Sequence, residues 1–193
     1  VTGATLTTDR KGQTNKAYSF NGTSDKIVTG DVDIAGDMTI SLWMKVAAIA
    51  DEGILILFNK RDNSDFLVPY NVGITARAAA GASGATPKTF FGMGGGGVTV
   101  TTVNSAAMAM TGNWIFVTAV VSGTNMQTYI NGVASGSAGT FAGTRQNNDI
   151  STRIGGPYSS TGSQYLFNGV IDDVRIYNRA LSAAEVLALY ESY

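Results

Sequence analysis

From Met38 to Val46 the chain alternates strictly. Met38, Ile40, Leu42, Met44 and Val46 fall on one face, and Thr39, Ser41, Trp43 and Lys45 on the other. A period of two predicts a half-buried β-strand. The same reasoning predicts strands at Lys16–Phe20 and Lys26–Val28, joined by the turn Asn21-Gly22-Thr23-Ser24. Ile54–Phe58 is a continuous apolar run, as in a strand covered on both faces. Phe66–Thr75 reads as another strand, with Pro69 pointing to an edge or a bulge. Val98–Val103 is rich in Thr and Val. Trp114–Val121 and Met126–Ile130 predict a hairpin, with Trp114 assigned to the core. Asn131-Gly132 then favours a tight turn into a further strand. Between Ala78 and Gly97 small residues dominate, and the segment reads as a long loop or hairpin insertion. Its glycine run lacks the Gly-Lys-Ser/Thr ending of a phosphate loop.

Near the C-terminus, Asn168–Tyr177 again alternates. Val170, Asp172, Val174 and Ile176 form one face, and Ile171, Asp173, Arg175 and Tyr177 the other. Asp172 thus falls among three β-branched apolar residues. A buried carboxylate is costly unless it is paired, hydrogen-bonded or metal-bound. A short helix follows. Ser182 and Glu185 have the spacing of a capping box, and Leu181 stands where a hydrophobic staple begins. Val186, Leu189 and Tyr190 recur at helical spacing and predict the packed face.

The chain has 193 residues, enough for one sandwich domain. Its net charge of −1 and the lack of a basic cluster argue against binding nucleic acid through phosphates. Cysteine and histidine are both absent. That excludes a disulfide framework, Ser-His-Asp or Cys-His nucleophiles and imidazole-based zinc sites. No apolar run is long enough to span a bilayer. With Val as its first residue and no signal peptide, the sequence reads as one domain, 1–193, excised from a longer protein.

Several blocks carry a resemblance. Ala17-Tyr18-Ser19-Phe20-Asn21-Gly22-Thr23-Ser24-Asp25 is similar to an early strand and turn of the laminin-G-like modules in the concanavalin A-like lectin/glucanase superfamily. Met38–Val46 resembles that family's Trp-bearing strand. Asn113–Ala119 and Tyr129–Gly132 resemble its central hairpin, and Asn168–Tyr190 its closing strand and helix. The resemblance implies an all-β fold: a two-sheet antiparallel β-sandwich of jelly-roll type with one short C-terminal helix. It also implies a structural calcium ion, held by Asn21, Gly22, Asp25 and Asp172. Calcium takes six to eight oxygens, and this set mixes carboxylates with backbone carbonyls. The alternative is a metal-free network, with the Asx side chains capping their own turn and Asp172 accepting backbone N–H groups or pairing with Arg175 or Arg179. The family usually has a strand upstream of Thr2-Gly3-Ala4-Thr5-Leu6. Its absence here would leave a sheet edge open to a partner strand, unless residues 1–8 form that strand themselves.

Related glycosidases carry two glutamates on one strand in an E-x-D-x-E pattern. The three glutamates here, Glu52, Glu185 and Glu191, make no such pattern. Asp172 and Asp173 are adjacent, so ideal alternation sends them to opposite faces. Asp62 and Asp65 read as solvated loop residues. The expectation is a non-catalytic binding module, extracellular or at a cell surface, that recognises a glycan or mediates adhesion. The alternatives are a structural module contacting another surface protein and an accessory domain of a polysaccharide-degrading enzyme. Sugars need aromatic faces and planar polar groups. Candidate contacts are Trp43, Tyr70, Asn71, Phe90, Phe91, Arg145, Asn147 and Tyr158.

Overall fold

A computed structural model describes residues 1–49, 53–61, 68–76, 86–95, 98–144, 148–157 and 165–192. In chain order the strands are β1 (Thr5–Thr7), β2 (Ala17–Asn21), β3 (Ile27–Val28), β4 (Met38–Val46), β5 (Ile54–Lys60), β6 (Val68–Thr75) and β7 (Lys88–Gly95). They continue as β8 (Val98–Asn104), β9 (Trp114–Ser122), β10 (Asn125–Ile130), β11 (Val133–Ala134), β12 (Gly139–Thr140), β13 (Arg153–Ile154) and β14 (Asn168–Tyr177). One helix, α1 (Ala183–Glu191), follows. An eight-stranded sheet runs β1-β2-β14-β4-β9-β10-β11, with β12 also paired to β10. A six-stranded sheet runs β3-β13-β5-β6-β7-β8. All strand pairs are antiparallel, giving the expected all-β sandwich.

The core follows the alternation. Met38, Ile40, Leu42, Met44 and Val46 face inward from β4, opposite Val121, Ala119, Val117 and Ile115 of β9. Tyr70, Val72, Ile74, Phe91 and Met93 close the core from the second sheet. A smaller cluster lies on the outer face of the eight-stranded sheet, where Leu181 and Val186 pack on Val120. These two residues occupy the staple positions around Ser182, whose side chain and that of Glu185 complete the capping box.

Three expectations need correction. Residues 5–7 form β1 and pair with β2, and Thr2 exchanges backbone bonds of 2.9 Å with Lys26. The N-terminal segment therefore supplies the strand thought missing. Trp114 is paired on the same side as Lys45, on the outer face, and is half-buried rather than core. Lys88–Gly95, inside the segment read as a long loop or hairpin insertion, is no loop but the interior strand β7, paired with β6 and β8. Gly92 is there for space: a Cβ on it would lie 2.3 Å from Asn71 Oδ1. Small-residue composition thus concealed a strand. Pro69 sits in an interior strand, beside the register shift between Val68 and Asn71, so the bulge alternative holds.

Candidate functional site

The most distinctive local structure lies in β14. Its register against β4 shifts between Asp172 and Arg175, and Asp173 has φ 46°. Asp is among the few residue types that visit this left-handed region. The bulge resets the alternation. Ile171 and Ile176 both lie opposite inward residues of β4, Met44 and Ile40, while Asp172 lies opposite Trp43 on the outer face. Asp172 is nonetheless only 6% exposed, because the loop after β1 covers it. Arg10 from that loop donates through one guanidinium nitrogen to Asp172 Oδ2 at 2.9 Å and Asp173 Oδ2 at 2.6 Å. The same guanidinium stands 4.8 Å from the Trp43 ring centroid. Asp172 Oδ1 also accepts the Asp173 backbone N–H at 2.8 Å. Burial raises the Asp172 pKa and the Asp173 charge adds to this, against the lowering effects of the Asp173 N–H and of Arg10.

Two expectations about these acids therefore change. Asp172 does not face the core: it lies with Val170 on the outer face, and the bulge that follows it turns Ile176 inward instead. Asp172 and Asp173 do not diverge, since a left-handed residue lets both reach one cation. That cation is Arg10, which alternation arguments confined to β14 could not find. Arg175 lies 3.9 Å from Asp173 Oδ1, and Arg179 pairs instead with Glu185 at 2.8 Å.

The calcium set is not brought together. Asn21, Gly22 and Asp25 form one turn, packed against the start of β14, where a Cβ on Gly22 would lie 2.8 Å from Asn168 Cβ. Asn21 pairs with Asn168, and Asp172 lies four residues further along, about 13 Å at the rise of a strand. The turn also uses its own oxygens. Asn21 Oδ1 accepts from the backbone N–H groups of Thr23, Ser24 and Asp25 at 2.8, 3.0 and 3.2 Å. Asp25 accepts the Asn21 N–H at 3.0 Å and the Ser24 hydroxyl at 3.2 Å. With Asp172 well along the strand from the turn and bonded to Arg10, these four residues do not meet at one calcium ion. Among the described residues no group of three or more Asp, Glu, His or Cys side chains is placed to hold a metal.

The candidate sugar contacts are mostly interior. Trp43 is on the outer face as expected, but Tyr190 of α1 stacks on it at 5.6 Å and Phe116 packs at 5.2 Å. Tyr70, Asn71, Phe90 and Phe91 are all buried. Tyr70 stacks on Phe58, and its hydroxyl donates to the Val32 carbonyl at 2.7 Å. None of these five offers an open face to a ligand. Arg145, Asn147 and Tyr158 lie outside the described residues, as do Glu52, Asp62 and Asp65.

Two recesses meet at the bulge instead. One, of about 430 Å³, is polar and is lined by Arg10, Lys11, Gln13, Lys16, Asp173 and Arg175 among others. The other, of about 290 Å³, is apolar and opens between the sheets, where Tyr18, Phe20, Ile27, Ile154, Ile171 and Val174 line it. Lys16, Asp172 and Asp173 border both. The left-handed Asp173, the buried acid beside it and the adjoining recesses of opposite polarity make this the candidate site. Sequence reasoning singled out Asp172 but missed Arg10, Lys16 and Tyr18. The charged run Asp9-Arg10-Lys11 was the available signal.

The fold has clear relatives among solved structures. Domain 4 of AbnA, a GH43 extracellular arabinanase from Geobacillus stearothermophilus, solved in complex with arabinotriose, matches with a TM-score of 0.69 and 22% identity, over 97% of this chain and 81% of that one. The binding domain of Paraclostridial Mosquitocidal Protein 1 matches at 0.73 and 18% identity, over the whole of this chain and 46% of that one. The heptameric SAP-like pentraxin from Limulus polyphemus matches at 0.66 and 16% identity, over 89% of this chain and 80% of that one. At these identities the likeness concerns the fold. No curated protein matches the chain. A family model described as the concanavalin A-like lectin/glucanases superfamily, Laminin_G_3, matches residues 21–187. The chain therefore belongs to the laminin-G-like branch of the concanavalin A-like lectin/glucanase superfamily.

Proposed function

We propose that this chain is a non-catalytic glycan-binding module of an extracellular or cell-surface protein, with its ligand seated at the β14 bulge. The observation that carries the reading is the meeting of a polar and an apolar recess at Asp173. A sugar has both kinds of surface. Its C–H face would lie toward Tyr18, and its hydroxyls toward Asp173, Gln13 and Lys16. Asp173 is 32% exposed, so its carboxylate is reachable while Arg10 holds it in place. The arabinanase domain solved with arabinotriose supports the class of ligand, as a protein of the same fold. The adhesive alternative has thinner support: β1 forms an open edge with Leu6 51% exposed, but only three residues long.

In this reading Asp172 and Asp173 act as a clamped acceptor pair. Both are engaged by one guanidinium, and a general acid would have to carry a proton in that place. Calorimetric titration with a panel of plant and bacterial oligosaccharides tests the proposal. At least one should bind, Asp173→Ala should weaken it about tenfold or more, and no product should form on long incubation. Binding by none of the panel, or equal binding by Asp173→Ala with an unchanged circular dichroism spectrum, would refute it.

A further inference from the structure

The polar recess carries a cationic excess, whereas the rest of the chain carries an acidic one. Arg10, Lys11, Lys16 and Arg175 line it, against Asp9, Asp172 and Asp173. Four of the chain's 13 cationic side chains thus face three of its 14 carboxylates, in a protein whose net charge is −1. The carboxylates are already engaged. Asp172 and Asp173 share Arg10. Asp9 Oδ1 accepts the backbone N–H groups of Lys11 and Gln13 at 2.9 and 2.8 Å, which shapes the loop that presents both Arg10 and Lys11. Lys11 and Lys16 are exposed and make no ion pair among the described residues.

We propose that the site selects an acidic glycan, one bearing uronate carboxylates, with Lys11 and Lys16 as the selecting cations. The proposal rests on the glycan-binding reading above and deepens it. A neutral sugar would need no such excess. A hexuronate presents a carboxylate beside an apolar ring face, and Lys16 borders both the polar and the apolar recess. Arg10 is not available for this role because its charge is already engaged by Asp172 and Asp173. Exposed cations in a recess attract an anion at long range, and that attraction falls as salt screens it.

Titration with trigalacturonate and with its carboxyl-reduced, neutral counterpart tests the idea. The uronate should bind about tenfold more tightly at low ionic strength, and the advantage should shrink as salt is raised. The double variant Lys11→Gln/Lys16→Gln should lose the advantage while keeping the melting temperature, since both side chains are exposed. Equal affinity for the two trisaccharides, or an advantage that survives in the double variant, would overturn the charge selection and leave glycan binding standing. If neither trisaccharide binds and no neutral oligosaccharide binds either, the glycan reading falls with it. A sulfated trisaccharide binding where trigalacturonate does not would keep the anion site and overturn the uronate assignment.

Discussion

Arg10 is the residue on which the site turns. It is 9% exposed, bonded to two carboxylates and placed over Trp43. Replacing it with Met keeps most of its volume but leaves Asp172 buried without its counter-charge. Such a loss costs about 3 kcal/mol. Urea denaturation of Arg10→Met should show it, and Asp172→Asn in the same background should recover part of it. Because Arg10 supplies the charge that calcium was expected to bring, the wild-type melting temperature should not change on adding a chelator. A fall on chelation would restore the metal to the account. Asp172 also predicts a pH dependence. Burial raises its folded pKa above the ordinary 3.8, so the native state binds the proton first. Stability relative to Asp172→Asn should therefore increase as pH falls from the raised value toward 3.8. Glu185 works in the opposite sense: the Ser182 N–H lowers its pKa, and its contribution disappears as pH falls below 4.5 toward that lowered value.

Among the elements, α1 does the most for its length. Its capping box closes with Glu185 Oε2 accepting the Ser182 N–H at 2.8 Å, and its last full turn carries Tyr190 onto Trp43. Ser182→Ala should cost about 1 kcal/mol, measured by thermal or chemical denaturation. The variant should also bring a red shift in tryptophan emission, since a fraying helix uncovers Trp43. Unchanged emission would mean that Trp43 is covered by Arg10 and Phe116 alone. The strand elements were legible where alternation was strict, as in β4, or where apolar residues ran on to a turn, as in β9 and β10. β7 was not legible, because Gly92 serves close packing there, and β14 was legible as a strand but not in its facing, because one left-handed aspartate reverses the alternation.

For the molecule as a whole, the two sheets must be held together where the chain crosses between them. Lys60 at the end of β5 does this. Its ammonium is fully buried and bonded by Asp31 and Asp33, which lie on the connection from β3 to β4. Burial alone would lower its pKa, but the two carboxylates reverse the effect and raise it. Tyr70 joins from β6 through the Val32 carbonyl. Lys60→Met should cost about 2 kcal/mol in urea denaturation, since charged hydrogen bonds are lost but the half-exposed acids can turn to water. No helix among the described residues is long and apolar enough to cross a membrane.

The family resemblance implied the sandwich, and the sequence by itself determined most of the long strands and the capped helix. Each depends on local rules, a period of two or a fixed capping spacing, that a short segment satisfies alone. It also marked Asp172, because an acid in an apolar pattern demands a partner wherever it points. Only the tertiary structure decided which partner. Arg10 lies 162 positions away from Asp172 in sequence, and no local pattern links two such residues. The direction of Asp172, the covering of Trp43 and the joining of two recesses all arise from long-range packing around one bulge. The physical reason is that periodicity fixes which residues share a face, while only the assembled chain decides what each face meets.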